Sequence, residues 1–100
     1  MIERLLIANR GEIAVRVARA AREMSIVPLG IFSEADADAY HLRFVDDARY
    51  VGPAPAIDSY LNGEAIVAAA VAMNADAIHP GYGFLSERAP FARLVRDAGL

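Results

Sequence analysis

The densest set of chemically useful side chains lies between Ala77 and Glu87, in the string AIHPGYGFLSE. A histidine, a proline, a tyrosine between two glycines, a phenylalanine and a serine crowd into one turn, a mixture that folding alone rarely requires. Pro80 has no N–H to give to a sheet ladder and biases His79 towards extended geometry, so an apolar strand over 75–78 stops at His79-Pro80. Gly81 and Gly83 permit backbone angles closed to other residues and let a ligand come close to the main chain. Tyr82 between them is expected at a loop tip; a core tyrosine is the plainer role, but the glycines leave it little regular structure to pack in. Ser86, followed by Glu87, reads as the cap that starts a helix. Strand, glycine-rich loop and helix then set aromatic and polar groups at the carboxyl end of a strand, where open α/β sheets bind ligands.

Other residues carry weaker chemical signals. The turn IANRGEI sits where a dinucleotide fold has its phosphate fingerprint, and Glu34 lies where a ribose-binding acid would be. Only Gly11 is present where that fingerprint needs three glycines, so a plain strand-to-helix turn is the better reading. His41 has no second histidine or carboxylate cluster at metal-ligand spacing, which predicts a solvated surface position and no metal site. No GxSxG elbow is present, and Ser86 is better explained as a cap than as a nucleophile.

The elements that must position these residues alternate. Residues 3–8 (ERLLIA) form a short apolar run cut off by Asn9-Arg10-Gly11, which suits a buried strand. From Gly11 or Glu12 to Met24 the spacing turns helical, with Ile13, Val17, Ala21 and Met24 on one face and Arg16, Arg19 and Glu23 on another. Arg19 and Glu23, four apart, can pair on the helix surface; the charged face is either simply solvated or a symmetric interface in which they meet a second copy. A second strand is expected over 26–32 with Pro28 as its weak point. A short helix to Phe44, capped by Asp36 or Asp38, comes next. A third strand over 48–52 ends in Gly52-Pro53-Ala54-Pro55, and a helix capped by Asn62 runs to Asn74. The last helix spans 87–98, with Phe91, Leu94, Val95 and Ala98 buried, Pro90 in its first turn and Gly99 just past its end. Such alternation predicts an α/β fold: a three-layer, Rossmann-like open parallel sheet with helices on both faces.

Composition narrows the function classes. One hundred residues bound a single domain. The hydrophobic fraction of 56% comes largely from alanine, and no segment reaches the roughly 18 consecutive apolar residues of a membrane helix. Charges within MIERLLIANRGE argue against a signal peptide. The ten basic residues are all arginine and spread along a chain of net charge -3, which is no nucleic-acid footprint. The absence of cysteine removes disulfide and thiolate-metal chemistry and fits a cytoplasmic protein.

Three strings together are more specific: IANRGEIAVR (7–16), GPAPAIDSYLN (52–62) and AIHPGYGFLSE (77–87). They resemble the N-terminal, pre-ATP-grasp subdomain of biotin carboxylase, the ATP-dependent component of acetyl-CoA, propionyl-CoA, pyruvate and related carboxylases. The resemblance runs in register over residues 1–100; Gly63 and Glu64 depart mildly, where relatives often have an apolar residue and a proline. It implies a parent ligase that activates bicarbonate with MgATP as carboxyphosphate and carboxylates N1 of carrier-bound biotin. ATP, Mg2+ and bicarbonate would be held mainly by the ATP-grasp and C-terminal subdomains, so this piece alone is expected to be inactive. By the same resemblance Tyr82 and Gly83 lie against biotin, while Arg16, Arg19 and Glu23 take part in a homodimer contact. The implied partners are those two subdomains, a biotin carboxyl carrier and a carboxyltransferase. Two other classes compete with this reading: a free-standing Rossmann-like nucleotide-binding module, and a purely structural dimerisation module.

Overall fold

Short apolar runs broken by glycine, proline and polar turns become strands here, and the amphipathic stretches between them become helices. The computed structural model describes residues 2–86 and 88–100. Its strands are β1 (Arg4–Ile7), β2 (Val27–Ser33), β3 (Asp47–Gly52) and β4 (Ala77–His79). Its helices are α1 (Gly11–Glu23), α2 (Gly63–Ala72) and α3 (Ala89–Asp97). All three pairings are parallel, in the order β3-β2-β1-β4.

Side chains alternate along a strand, so Leu6 and Ile7 of β1 enter different layers. Leu6, Ala8, Leu29 and Ile31 are covered by Ile66, Ala69 and Ala70 of α2, by Met73 just past its end and by Phe91 of α3. On the other face Ile7 packs with Ala14 and Ala18 of α1. This is the three-layer parallel sheet the alternation predicts. None of these helices is long and apolar enough to cross a membrane.

Pro28 sits in an interior strand without breaking it. Val27 donates to Glu3 on the β1 side, while the carbonyl of Pro28 accepts from Asp46 at 2.9 Å on the β3 side. The nitrogen of Pro28 therefore faces β3 one level before that strand begins at Asp47, and no ladder bond is lost.

Helix α1 buries a different stripe from the one its spacing predicts. Ala14, Val15, Ala18 and Ala21 are buried, whereas Ile13 and Val17 are half-buried and Met24 is 70% exposed. Alanines let the helix backbone lie close over β1 and β2, which moves the larger side chains to its flank. There Ile13, Val17 and Met24 join Leu5 and Ile26 along an open apolar groove of about 500 Å3 that reaches His79 and Gly81. Arg19 and Glu23 do not form the expected ion pair among the described residues; the Arg19 guanidinium lies 5.1 Å from the centre of the Phe44 ring instead.

Between β2 and β3 the expected helix gives way to two 3-10 turns, Glu34–Asp36 and Tyr40–Phe44, neither capped by a side chain. Asp36 cannot cap, because its carboxylate is already committed elsewhere in the buried interior. His41 is likewise buried, at 1% exposure, and not solvated. Its Nε2 lies 3.0 Å from the carbonyl of Ile31, which can only accept, so Nε2 carries the hydrogen; Nδ1 has no partner among the described residues.

Helix α2 starts as predicted, with Asn62 Oδ1 accepting from the Ala65 N–H at 3.1 Å, and stops where Asn74 turns left-handed at φ 57°. Helix α3 has Pro90 in its first turn and Gly99 just past its end, but Arg88 is its N-cap residue. Ser86 does not cap it; its N–H donates back to Gly83 at 2.9 Å, closing the loop on itself. Glu87, the other half of that expectation, lies outside the described residues. Phe91 is buried and Val95 half-buried, but Leu94 and Ala98 are exposed, because α3 rests on α2 along one edge only.

Candidate functional site

The strand order creates one special crevice. From β1 the chain moves outward through β2 to β3, then crosses back to lay β4 on the far side of β1. The turns leaving β1 and β4 therefore lead to helices on opposite faces, and the gap between them is the switch point at which open α/β sheets take ligands. Here that gap is a groove of about 520 Å3 lined by Asn9, Arg10, Glu12 and Ile13 on one side and by Tyr82, Gly83 and Phe84 on the other.

The wall from β4 is a tight left-handed turn. Gly81, Gly83 and Phe84 have φ of 67°, 68° and 44°, and a non-glycine in this region costs on the order of 1 kcal/mol. The Gly81 N–H donates to His79 Nδ1 at 3.0 Å. Tyr82 stands out at 75% exposure, as its flanking glycines predict. The two glycines do different work. A Cβ on Gly81 would lie 2.8 Å from both Asn9 Nδ2 and Ile13 Cγ2, whereas one on Gly83 would meet nothing within 4 Å. Close approach within the protein thus belongs to Gly81, and the free side of Gly83 opens outward.

Two supports hold this turn. Below it, Asn9 is 1% exposed; its Nδ2 donates to the carbonyls of Pro80 at 2.9 Å and Tyr82 at 2.7 Å, and its Oδ1 accepts from the Arg10 N–H at 2.8 Å. Beyond it, the Phe84 ring stacks on Tyr60, centres 5.2 Å apart. Tyr60 donates its hydroxyl hydrogen to Asp36 at 2.6 Å and accepts from the Ser33 N–H. Arg10 grips the same carboxylate with two donors, at 2.6 and 2.7 Å.

These contacts set the electrostatics. The Arg10 hydrogen bonds hold the Asp36 carboxyl at about 2, overriding the opposing effect of burial, and Tyr60 contributes in the same direction. Burial, with the Asp36 hydrogen bond second, pushes the Tyr60 hydroxyl up to about 12. Arg10 is raised further above its ordinary value, chiefly by its hydrogen bond to Asp36. The arginine that reaches the groove is therefore already neutralised by a carboxylate behind it. The surface on offer is aromatic and peptide, with Glu12 the one charge on its lining that has no ion-pair partner among the described residues.

Of the residues singled out from sequence, Tyr82 and Gly83 come together at this groove, Tyr82 also bordering the apolar groove along α1. Arg16, Arg19 and Glu23 are all exposed on α1, with Arg16 on the rim of that apolar groove. Asn9, Asp36 and Tyr60 were not identified from sequence as site residues. Asn9 lies within IANRGEI, a string that stood out, but its partner loop is identifiable only once β1 and β4 are neighbours.

Comparison with known proteins is consistent along the whole chain. Residues 1–100 match the family model described as the N-terminal domain of biotin carboxylase. The alpha subunit of mitochondrial methylcrotonoyl-CoA carboxylase from Glycine max is 54% identical over 99 residues, covering 99% of this chain and 14% of that protein. A biotin carboxylase from Allochromatium vinosum is also 54% identical over 99 residues, covering 99% of this chain and 22% of that protein. The chain thus spans about a fifth or less of these relatives' lengths. Among solved structures, biotin carboxylase of Campylobacter jejuni in a β-γ-ATP complex superposes with a TM-score of 0.96 at 46% identity, covering 100% of this chain and 22% of that one. The biotin carboxylase domain dimer of Hydrogenobacter thermophilus 2-oxoglutarate carboxylase, in complex with MgADP, ADP and bicarbonate, gives 0.93 at 47% identity with the same coverage. A parallel sheet of this order, a glycine-bounded tyrosine at its switch point and a family match from end to end agree: the chain belongs to the biotin carboxylase N-terminal domain family.

Proposed function

We propose that this chain forms one wall of the biotin site in a longer, ATP-dependent biotin carboxylase. The observation that carries the reading is Tyr82, exposed between two left-handed glycines at the switch point, on a groove whose arginine is already neutralised. Biotin has a neutral, flat ureido ring and an apolar bicycle, so its wall needs an aromatic surface and close backbone approach more than charge. Tyr82 offers the first and Gly83, open on its outer side, the second. ATP and Mg2+ supply the activation of bicarbonate and are held mainly by the ATP-grasp and C-terminal subdomains of the parent. This chain's own task is to bind and orient the acceptor ring. The parent works in the cytoplasm with a biotin carboxyl carrier and a carboxyltransferase.

In the full-length enzyme, Gly83→Val and Tyr82→Ala are both expected to raise the KM for free biotin, Gly83→Val more. Valine puts a branched side chain into the groove and strains the turn, whereas alanine only removes contact area and one hydroxyl. The KM for ATP moves little in either. Steady-state assays normalised to folded protein decide the matter, and unchanged biotin constants in both variants sink the reading.

The parent is further proposed to be a homodimer through α1. Support comes from the exposed Arg16, Arg19 and Glu23 on this helix, the apolar groove beside them, and the dimeric Hydrogenobacter relative. Arg19→Glu is expected to weaken dimerisation of the full-length enzyme, and adding Glu23→Arg to restore part of it. Sedimentation equilibrium giving equal dissociation constants for wild type, single and double variants removes the interface.

A further inference from the structure

We infer that Asn9 is the positioning residue of the biotin wall: by pinning the carbonyls of Pro80 and Tyr82 it sets the plane of the Tyr82–Gly83 peptide, and this rests on the function proposed above. A primary amide has two hydrogens to donate and an oxygen to accept. Asn9 spends both hydrogens on one loop and its oxygen on the turn that starts α1, so a single buried side chain ties the two walls of the groove together. No other side chain of this length does all three. Aspartate lacks the hydrogens, serine has only one, and glutamine is a methylene too long for a site so tight that a Cβ on Gly81 would lie 2.8 Å from the amide nitrogen.

The consequence for binding follows from peptide geometry. The bond between Tyr82 and Gly83 is trans, so its N–H points opposite to its carbonyl. With the Tyr82 carbonyl held inward on Asn9, the Gly83 N–H is turned away from Asn9. That N–H has no acceptor among the described residues. Asn9 thereby fixes where Tyr82 leaves the backbone and which way a free donor faces, without touching the ligand itself.

The test uses the full-length enzyme and free biotin. Asn9→Asp keeps the size and the acceptor to Arg10 but sets a carboxylate against two carbonyl oxygens. The expected result is a KM for biotin raised about tenfold or more, as loss of two hydrogen bonds implies. The KM for ATP and the rate of bicarbonate-dependent ATP cleavage without biotin stay within about twofold of wild type on the same reasoning. The introduced carboxyl is buried against carbonyls, so it protonates more readily than usual and then regains one donor. The biotin KM of Asn9→Asp relative to wild type should therefore fall as pH is lowered from about 8 to about 6, a recovery that general damage to the fold does not produce. Asn9→Ser, which keeps one donor, gives the same readouts if Asn9→Asp yields no folded enzyme, without the pH recovery. Hydrogen exchange at Gly81 and Ser86, whose N–H groups are bonded within this loop, should quicken in either variant while β1 and β2 are unchanged.

The outcomes separate. A biotin KM raised by Tyr82→Ala but unchanged by both Asn9 variants overturns the positioning role and leaves the biotin wall standing. No change in any of the three, or in Gly83→Val, overturns both. Equal rises for biotin and ATP, with no pH recovery in Asn9→Asp, mean general structural damage and also overturn the inference.

Discussion

Gly81→Val in the full-length enzyme is expected to remove biotin carboxylation almost entirely and to lower the apparent Tm by several degrees. At φ 67° any side chain is strained, which costs about 1–2 kcal/mol. Steric crowding costs more: a Cβ here lies 2.8 Å from Asn9 Nδ2 and from Ile13 Cγ2. Ile13 is half-buried and has room to turn, but the Asn9 amide is fixed by three hydrogen bonds and must break two of them to move. Leaving the two hydrogens of the buried Asn9 amide unpaired costs about 1–3 kcal/mol each. With the backbone strain the sum, roughly 3–8 kcal/mol, is a large share of the 5–15 kcal/mol that holds a domain together. Gly83 provides the control, since its φ of 68° is nearly the same while its surroundings are empty. Gly83→Ala should therefore lose only the backbone strain, and Gly81→Ala clearly more. Thermal unfolding of the two alanine variants measures the difference, and equal Tm values refute the packing argument.

Asp36→Ala is expected to destabilise the protein by on the order of 2 kcal/mol, with a pH dependence that identifies the cause. The carboxyl titrates near 2 in the folded protein against 3.8 ordinarily, a difference worth about 2.5 kcal/mol. Arg10 keeps about half of its side chain in water, so it can rehydrate when its partner is removed and the full cost of orphaning a buried charge does not apply. Because the folded value is depressed, the stabilisation is present above about pH 4 and is lost as pH falls from about 4 towards 2. Tyr60 sets the other end: its folded value is raised, so its contribution holds below about pH 10 and fades as pH rises towards about 12. Asp36→Asn keeps an acceptor for Tyr60 but cannot titrate, so its stability should fall less steeply on acidification than that of wild type, the depressed Asp76 carboxyl being common to both. Denaturation midpoints between about pH 5 and 3 test this, and parallel curves for wild type and Asp36→Asn would falsify the assignment.

What could be read from the chain alone was what neighbouring residues decide. Apolar runs ended by Asn9-Arg10-Gly11, by Gly52-Pro53 and by His79-Pro80 marked strands, Asn62 marked a helix start, and two glycines predicted the exposure of Tyr82. What could not be read depends on which strands become neighbours. Asp36 looked like a cap because aspartate before a short polar stretch usually is one. Its actual partners are Arg10, 26 positions earlier, and Tyr60, 24 later. His41 looked solvated because nothing nearby in sequence wants a histidine, yet Ile31 of β2 offers its carbonyl in the interior. In α1 the helical period was right and the buried stripe wrong, since a wheel ranks Met24 above Ala14 while close packing on a sheet selects the smaller side chain.

The crossing of the chain from β3 to β4 also orders events in time. Strands β1, β2 and β3 are each joined to the next in sequence and can assemble early, whereas β4 must return to β1 from more than 70 residues away, guided by contacts such as Asp76 to the amides of Glu3 and Arg4. Closing a chain of that length carries an entropic cost on the order of 4 kcal/mol, which only the finished pairing offsets. A nascent or partly unfolded chain with three strands formed thus has much of a sheet but no crevice, because the crevice lies between the first strand made and the last. The capacity to hold a ligand arrives with the final docking event, so a molecule caught halfway is silent and does not hold a distorted ring.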